Sequence, residues 1–444
     1  MDYQEAVDYL YSLQMHKIKL GLEAMRRFLD QVGSPERGLR CVHVAGTNGK
    51  GSVSANLVAI LGRAGYRAGL YTSPHLSDVR ERFRLGDRYI DRETFARLAT
   101  RIRKVLGPEQ ITFFEFCTAL ALLWFAERQV DVVVLETGMG GRLDATNVVT
   151  PMVAIITSIS MDHEAYLGAN LTEVAGEKAG IIKAGVPVIS SATVPEAAAV
   201  VERTCRERGA ALYVLGRDFD YRDDPDGRWT WNGLIPPLQR TIGGLRCALR
   251  GGYQRQNSSV AIAAALLLGQ FGYPLEPAAI AAGVAAVSWP GRMEYFQADI
   301  VSEPGELGDA GPDQRWYLLD GAHNPDGVQR LVEALVAEFG DRRLVCVWGA
   351  MGDKDLTTAL AAISPVVHRL ILTSAPGERA ATPERLLACL PPDGQAKADC
   401  VADIRAALAR AGAVSGPEDC IVVAGSLYLL GEVRKILRGE VVDG

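Results

Sequence analysis

The 444-residue chain has no cysteine pair at C-x-x-C spacing, no basic excess, no bilayer-length apolar run, and neither an internal repeat nor a low-complexity tract. Each absence removes a class of protein. Without paired cysteines, the eight Cys give no zinc knuckle and no thioredoxin-like site. Several sit in apolar runs such as Leu344–Trp348 and read as reduced, buried thiols. Lys plus Arg number 47 against 53 Asp plus Glu, a net charge of −6, which argues against a general nucleic-acid binder. The longest apolar stretch, Val260–Leu268, is about half the ~20 residues a membrane span needs. The first residues, Met1-Asp-Tyr-Gln-Glu-Ala6, are acidic and lack an apolar core, so no signal peptide is expected. A cytoplasmic enzyme that handles small molecules, with no nucleic-acid or membrane partner, fits what is left.

What is present is alternation. Apolar β-branched runs at 41–44, 68–72, 130–136, 153–158 and 186–190 are separated by helical patterns at 51–64, 92–106, 114–128, 172–184 and 195–208. The runs are continuous rather than alternating, which predicts a parallel sheet covered on both faces, an α/β doubly wound fold. Between Arg217 and Gly252, Trp229-Thr-Trp231 and Pro236-Pro237 predict short antiparallel strands, followed by helices at 257–271 and 277–286. Ser288-Trp-Pro-Gly-Arg292 reads as a hinge linker. Alternation then resumes in a second, smaller α/β domain. Its strands are expected at 316–320, 344–348, 369–373 and 420–424, and its helices at 325–339, 383–390, 401–411 and 426–437. The expected domains are therefore 1–288 and 292–444. The polar, Gly/Pro-rich stretch 302–314 reads as a surface loop.

The strongest chemical signal is Cys41-Val-His-Val-Ala-Gly46-Thr47-Asn48-Gly49-Lys50-Gly51-Ser52. A strand runs into a glycine-rich turn and then a helix. Glycines let backbone amides point at phosphate oxygens, and the helix N-terminus adds partial positive charge. Lys50 can span the outer phosphates, and a neighbouring hydroxyl can ligate Mg²⁺. The loop departs from G-x-x-x-x-G-K-[ST]: two residues separate Gly46 from Gly49, and Gly51 intervenes before Ser52.

Three more clusters follow strands. Glu136-Thr-Gly-Met-Gly-Gly-Arg142-Leu-Asp144 sets a carboxylate at a strand's carboxyl end, where ligands of open parallel sheets bind. A glutamate there either caps a loop or holds a metal. Ser158-Ile-Ser-Met-Asp162-His163 adds an imidazole at another strand end, and three such ends delivering Ser52, Glu136 and His163 suit a metal site. Leu319-Asp320-Gly-Ala-His323-Asn-Pro325 opens a helix in the second domain, either as a capping loop or as a ligand for ribose and anionic groups. Glu177-Lys178-Ala-Gly-Ile-Ile-Lys183 lies in a helix, where a lysine is ordinarily solvated.

With these motifs placed, the chain resembles the folylpolyglutamate synthase/dihydrofolate synthase family of the Mur ligase superfamily. The resemblance spans nearly the whole length. It is carried by GTNGKGS (46–52), YTSPHL (71–76), ETGMGGRLDATN (136–147), SISMDH (158–163), EKAGIIK (177–183), YQRQN (253–257), WPGRME (289–294), LDGAHNP (319–325) and GSLYLL (425–430). It implies a P-loop parallel-sheet ATPase domain plus a smaller Rossmann-like C-terminal domain. Residues 46–52 would hold ATP, and Ser52, Ser73, Glu136 and His163 would hold two Mg²⁺ ions. Lys178 matches a lysine carbamylated in this family, whose carbamate would steady the second ion. Asn257 would contact adenine, and Arg292, Asp320 and His323 would close on ATP, with Lys50, Lys178 and His323 the catalytic groups. Asp144 matches the pterin-binding acid, and Arg82 and Ser426 are carried over for the incoming glutamate.

The implied reaction activates a folate or dihydropteroate carboxylate as an acyl phosphate and couples it to L-glutamate, in a monomer. Where bifunctional members tend to read Ile-Asp-Leu-Gly-Leu, this chain reads Ile18-Lys-Leu-Gly-Leu22, which leaves the choice of pterin substrate open. Two other readings stand beside this one: a P-loop ATPase without ligase chemistry, and a Mur-type ligase for another acid. Murein ligases carry a further domain ahead of this loop, and Gly46 arrives too early for one.

Overall fold

The structure, a computed structural model, describes residues 1–13, 21–109, 111–301 and 313–439. The segment Ile18–Leu22 and the polar loop at 302–314 lie for the most part outside the described residues.

The first sheet has eight strands: β1 (Cys41–Ala45), β2 (Ala68–Tyr71), β3 (Phe83–Leu85), β4 (Arg88–Tyr89), β5 (Val132–Glu136), β6 (Val153–Ile156), β7 (Val188–Ser190) and β8 (Leu212–Val214). Their order is β4-β3-β2-β5-β1-β6-β7-β8. Every residue of β1, β5 and β6 is buried, as continuous apolar runs demand when helices cover both faces. Strands β2 to β8 of this order run parallel, but β3 and β4 pair antiparallel at one edge, so the sheet is mixed rather than purely parallel. The reversal is local. Gly86 (φ +57°) and Asp87 turn a hairpin whose flanking Arg84 and Arg88 suit an edge.

The helix Lys50–Arg63 packs between this sheet and the helices Tyr253–Leu268 and Pro277–Val284, where Leu57, Ile60 and Leu61 are fully buried. Each such side chain contributes about 1.5–3 kcal/mol relative to exposure, so the phosphate loop rests on a rigid base. A small antiparallel sheet of β9 (Phe219–Asp223), β10 (Trp229–Gly233) and β11 (Arg240–Leu245) buries Trp229 and Trp231 against that layer. Trp231 Nε1 finds an acceptor in the Ser259 carbonyl at 3.2 Å.

The third sheet holds β12 (Glu294–Asp299), β13 (Gln314–Leu319), β14 (Leu344–Trp348), β15 (Arg369–Leu372), β16 (Ala398–Cys400) and β17 (Cys420–Ala424). Its order is β12-β13-β17-β14-β15-β16, with β12 alone antiparallel. The second sheet's last strand ends at Leu245 and the third sheet's first begins at Glu294.

The helix expected at 172–184 spans only Leu171–Ala179. Gly180 lies against the Arg142 backbone, and the chain turns there. All eight cysteines are unpaired. Among the described residues no helix is long and apolar enough to cross a membrane.

Candidate active site

In the first sheet β5 and β6 flank β1, and β2 lies beyond β5, so four loops open at adjacent carboxyl ends. The order reverses at β1, which makes the crevice there the expected ligand site of an open α/β sheet. The third sheet answers with the loops after β13 and β17, which are also neighbours. Together they line one open crevice between the two sheets.

The loop after β1 turns at Gly46 (φ +152°), where a Cβ would drive into the Thr157 side chain. Gly49 (φ +89°) caps the helix Lys50–Arg63, and a Cβ there would lie 2.6 Å from Asn257 Oδ1. Both positions need glycine. The loop is pinned to the segment after β6. Thr47 N–H donates to Ser158 O (2.7 Å), Thr47 Oγ1 to Ser160 O (2.9 Å), and Thr157 Oγ1 to Asn48 O (2.8 Å). Lys50 Nζ folds back on the Gly46 and Thr47 carbonyls, both at 3.1 Å, and Lys178 Nζ donates to Gly46 O at 2.8 Å. Two lysines thus converge on one carbonyl beside the first amides of a helix, which have no intrahelical acceptor. Lys50 and those free amides suit phosphate oxygens.

Lys178 is buried, not solvated as a helix lysine ordinarily is. Burial, reinforced by Lys50, pushes its amine down to about 7. Glu136, at the end of β5, is also buried and accepts the Ser73 N–H at 3.3 Å. Burial pushes its carboxyl up to about 7, against the pull of Lys50, the Ser73 amide, Arg292 and Arg82. His163 (φ +53°) precedes the short helix Glu164–Leu167; although 43% of its side chain is exposed, partial desolvation lowers its imidazole below the ordinary value. Ser52, Ser73, Glu136 and His163 all line the crevice. Among the described residues no group of three or more His, Cys, Asp or Glu side chains is placed to hold a metal. A cation here would rest on two hydroxyls, one carboxylate and one imidazole.

From the other side, Asn257, Arg292, Asp320 and His323 line the same space. Asp320 Oδ2 accepts Met293 N–H (2.9 Å) and the Tyr253 hydroxyl (3.4 Å), while Oδ1 accepts Ala322 N–H (2.9 Å). Burial raises its carboxyl despite these donors. His323 Nδ1 lies 2.8 Å from the Gly321 carbonyl, so that nitrogen carries the proton and Nε2 keeps its lone pair. Asp162, Tyr253, Asp326 and Arg330 also line the crevice, though the sequence singled out none of them for a role. For Asp162 a signal existed: it directly precedes His163 after a strand end.

Two models match the chain: the Mur ligase middle domain over residues 44–218 and the Mur ligase glutamate ligase domain over 305–427. The folylpolyglutamate synthase of Lacticaseibacillus casei is 33% identical over 99% of both chains. The chain belongs to the folylpolyglutamate synthase/dihydrofolate synthase family. The dihydrofolate synthase/folylpolyglutamate synthase of Bacillus subtilis is 32% identical across 98% of this chain and 99% of its own. A probable bifunctional folylpolyglutamate synthase/dihydropteroate synthase of Haloferax volcanii is 35% identical over 100% of this chain, which spans only 51% of that longer protein. Among solved structures of the family, E. coli FolC in complex with DHPP and ADP superposes with a TM-score of 0.85 at 31% identity, covering 98% of this chain and 97% of that one.

The three residues that the family resemblance assigns to substrates stand apart from the crevice lining. Asp144 uses Oδ2 on the Gly138 (2.8 Å) and Met139 (3.0 Å) amides and Oδ1 on Thr146 (3.0 Å to the amide), so it braces a wall whose Gly138 and Met139 face the cavity. Arg82 Nε donates to His75 Nδ1 at 2.8 Å and its guanidinium lies 5.1 Å over the Phe113 ring. Ser426 caps the helix Leu427–Arg438, its hydroxyl accepting from Tyr428 N–H at 3.2 Å. Its neighbour Leu427 reaches the cavity.

Proposed function

We propose that this chain is an ATP-dependent ligase that adds L-glutamate to a folate, with dihydropteroate as an alternative acceptor. The observation that carries this reading is that loop 46–52 and the Asp320–His323 loop, from different sheets, line one crevice. E. coli FolC in complex with DHPP and ADP, a relative of the same fold, supports both kinds of ligand. Both walls come from one polypeptide, which supports a monomer as the working unit.

Loop 46–52 would cradle the phosphates of ATP, with Lys50 leaving its carbonyls for phosphate oxygens. Asn257 beside Gly49 suits the adenine end, and Asp320 suits the ribose. The residues fit Mg²⁺: Glu136 is a buried carboxylate with a single backbone donor, and Ser52 and Ser73 line the same crevice. Magnesium takes few protein ligands, and the phosphates and water complete its shell. When bound, two such ions neutralise charge on the phosphates. Lys178, carbamylated, would add a negative group beside them.

A folate carboxylate oxygen would form a bond to the γ-phosphorus as the bond to ADP breaks. The glutamate amine would then attack the acyl carbon, phosphate would leave with that oxygen, and the amine would lose a proton. Lys50 and Arg292 would offset charge that spreads over the transferred group. His323 Nε2, held unprotonated by the Gly321 contact, can accept a proton at the crevice. Residues 288–292 would serve as the hinge between 1–288 and 292–444.

The test is phosphate release from ATP with dihydropteroate and with tetrahydrofolate, each with and without glutamate. Release that needs both partners supports a ligase, and the preferred acceptor sets the substrate. Release that ignores both would sink the reading in favour of a plain ATPase.

A further inference from the structure

Asp162 lies in the loop after β6, and Lys354 lies 192 positions away in the loop after β14. Even so, Lys354 Nζ donates to Asp162 Oδ1 at 2.6 Å. The side chains are only 14% and 9% exposed, so the pair is largely withdrawn from water. Asp162 Oδ2 accepts from Asn324 Nδ2 at 3.2 Å and lies 3.9 Å from both His163 Nε2 and His323 Nε2. Asn324 continues the chain of contacts. It exchanges hydrogen bonds with the Asn48 side chain at 3.1 Å each way, while Asn48 Nδ2 also donates to Asp326 Oδ2 at 2.8 Å. A continuous polar seam therefore runs from the phosphate loop through Asn324 to Asp162 and on to Lys354. Asp162 and the two histidines face the crevice, and Lys354 stands behind them.

We propose that Lys354 is a positioning residue whose ion pair with Asp162 latches the third sheet onto the first and holds His163 and His323 near the same carboxylate oxygen. A carboxylate this withdrawn is costly without its cation, so loss of Lys354 favours a state in which Asp162 returns to water. Asp162 regains the most water when the seam parts, because its other oxygen is held by Asn324 of the opposite sheet. Lysine suits the role, since a compact ammonium on a flexible stem can reach across a closing gap and withdraw from it. The consequence for turnover rests on the ligase reading, whereas the latch itself does not.

The experiment compares the wild type with K354M, K354R, D162N and the K354M/D162N double variant. The radius of gyration of the ligand-free full chain is measured by solution scattering. K354M and D162N are expected to be larger than the wild type, K354R to match it, and the double variant to match either single one. In the folate and glutamate assay, kcat of K354M should fall on the order of tenfold. Unchanged dimensions in K354M overturn the latch, as do losses that add in the double variant. If K354M does not fold, D162N as compact as the wild type overturns it instead. The ligase reading fails on a separate result, phosphate release that ignores folate.

Discussion

Lys178 and Gly46 are 132 positions apart in the chain, and the lysine Nζ donates to the glycine carbonyl at 2.8 Å. This is an uncomfortable partnership for an ammonium. The acceptor is neutral, the side chain is buried, and Lys50 approaches the same oxygen at 3.1 Å. Burial and then Lys50 bring the amine to about 7, so near neutral pH much of it is uncharged. An uncharged amine can attack carbon dioxide and an ammonium cannot, which is consistent with the carbamate proposed for this lysine.

Replacing Lys178 by alanine should lower kcat on the order of 100-fold, the scale seen when one electrostatic group is lost from a preorganised site. Added acetate should restore part of it by standing in for the carbamate. Lys178→Arg keeps charge but cannot be carbamylated, so it should be as inactive as the alanine variant. Wild-type rates in either variant, measured with and without bicarbonate, would remove Lys178 from the chemistry.

Lys50→Ala should abolish turnover while the melting temperature stays close to that of the wild type. The loop keeps its anchors on Ser158, Ser160 and Thr157 without the lysine, so the fold does not depend on it. What it loses is a cation that can follow phosphate charge during transfer. An undiminished kcat in this variant would place the phosphates elsewhere.

At Gly49 the backbone and the space point the same way. A side chain at φ +89° is strained, and its Cβ would meet Asn257 Oδ1 at 2.6 Å. Gly49→Ala should therefore distort the loop and weaken ADP binding at least about tenfold, read by calorimetry. Gly65 has the same φ of +89° but open space around it. Gly65→Ala should then cost stability alone, with ADP affinity kept.

Much of this site could be read from sequence because each piece is local. A strand, a glycine turn and a helix start within residues 41–53, and Glu136 and His163 follow apolar runs, so the parallel-sheet rule sends them to one edge. The helix Pro325–Phe339 and the strands Leu344–Trp348 and Cys420–Ala424 fall where the pattern put them. The seam of Asn48, Asn324, Asp162 and Lys354 could not be read, because its partners are joined only by how two sheets meet. Short edge strands such as Arg88–Tyr89 and Ala398–Cys400 also escape, being too brief to show a period. The helix Tyr3–Ser12 went unread although its signal was present: Asp2 and Glu5 form a capping box.

His43 offers a test of how burial sets the acid limit of the fold. It lies mid-strand in β1 and is fully buried. Nε2 is 2.8 Å from Thr146 Oγ1, and Nδ1 has no hydrogen-bond partner among the described residues. Burial, and after it Lys183, lowers its imidazole to about 3, while an unfolded histidine titrates near ~6.5. Between those values the unfolded chain binds one proton that the folded chain does not. Stability from this group is therefore complete above about 6.5 and lost as pH falls, by up to ~1.4 kcal/mol per pH unit. Gln at position 43 can keep a hydrogen bond to Thr146 and cannot titrate, so H43Q should flatten the curve over that window. Other buried histidines add their own slopes, so the quantity to read is the difference between variant and wild type. Urea unfolding of both from pH 7.5 down to 4.5 gives it, and parallel curves would mean that His43 is protonated in the folded chain or reached by water.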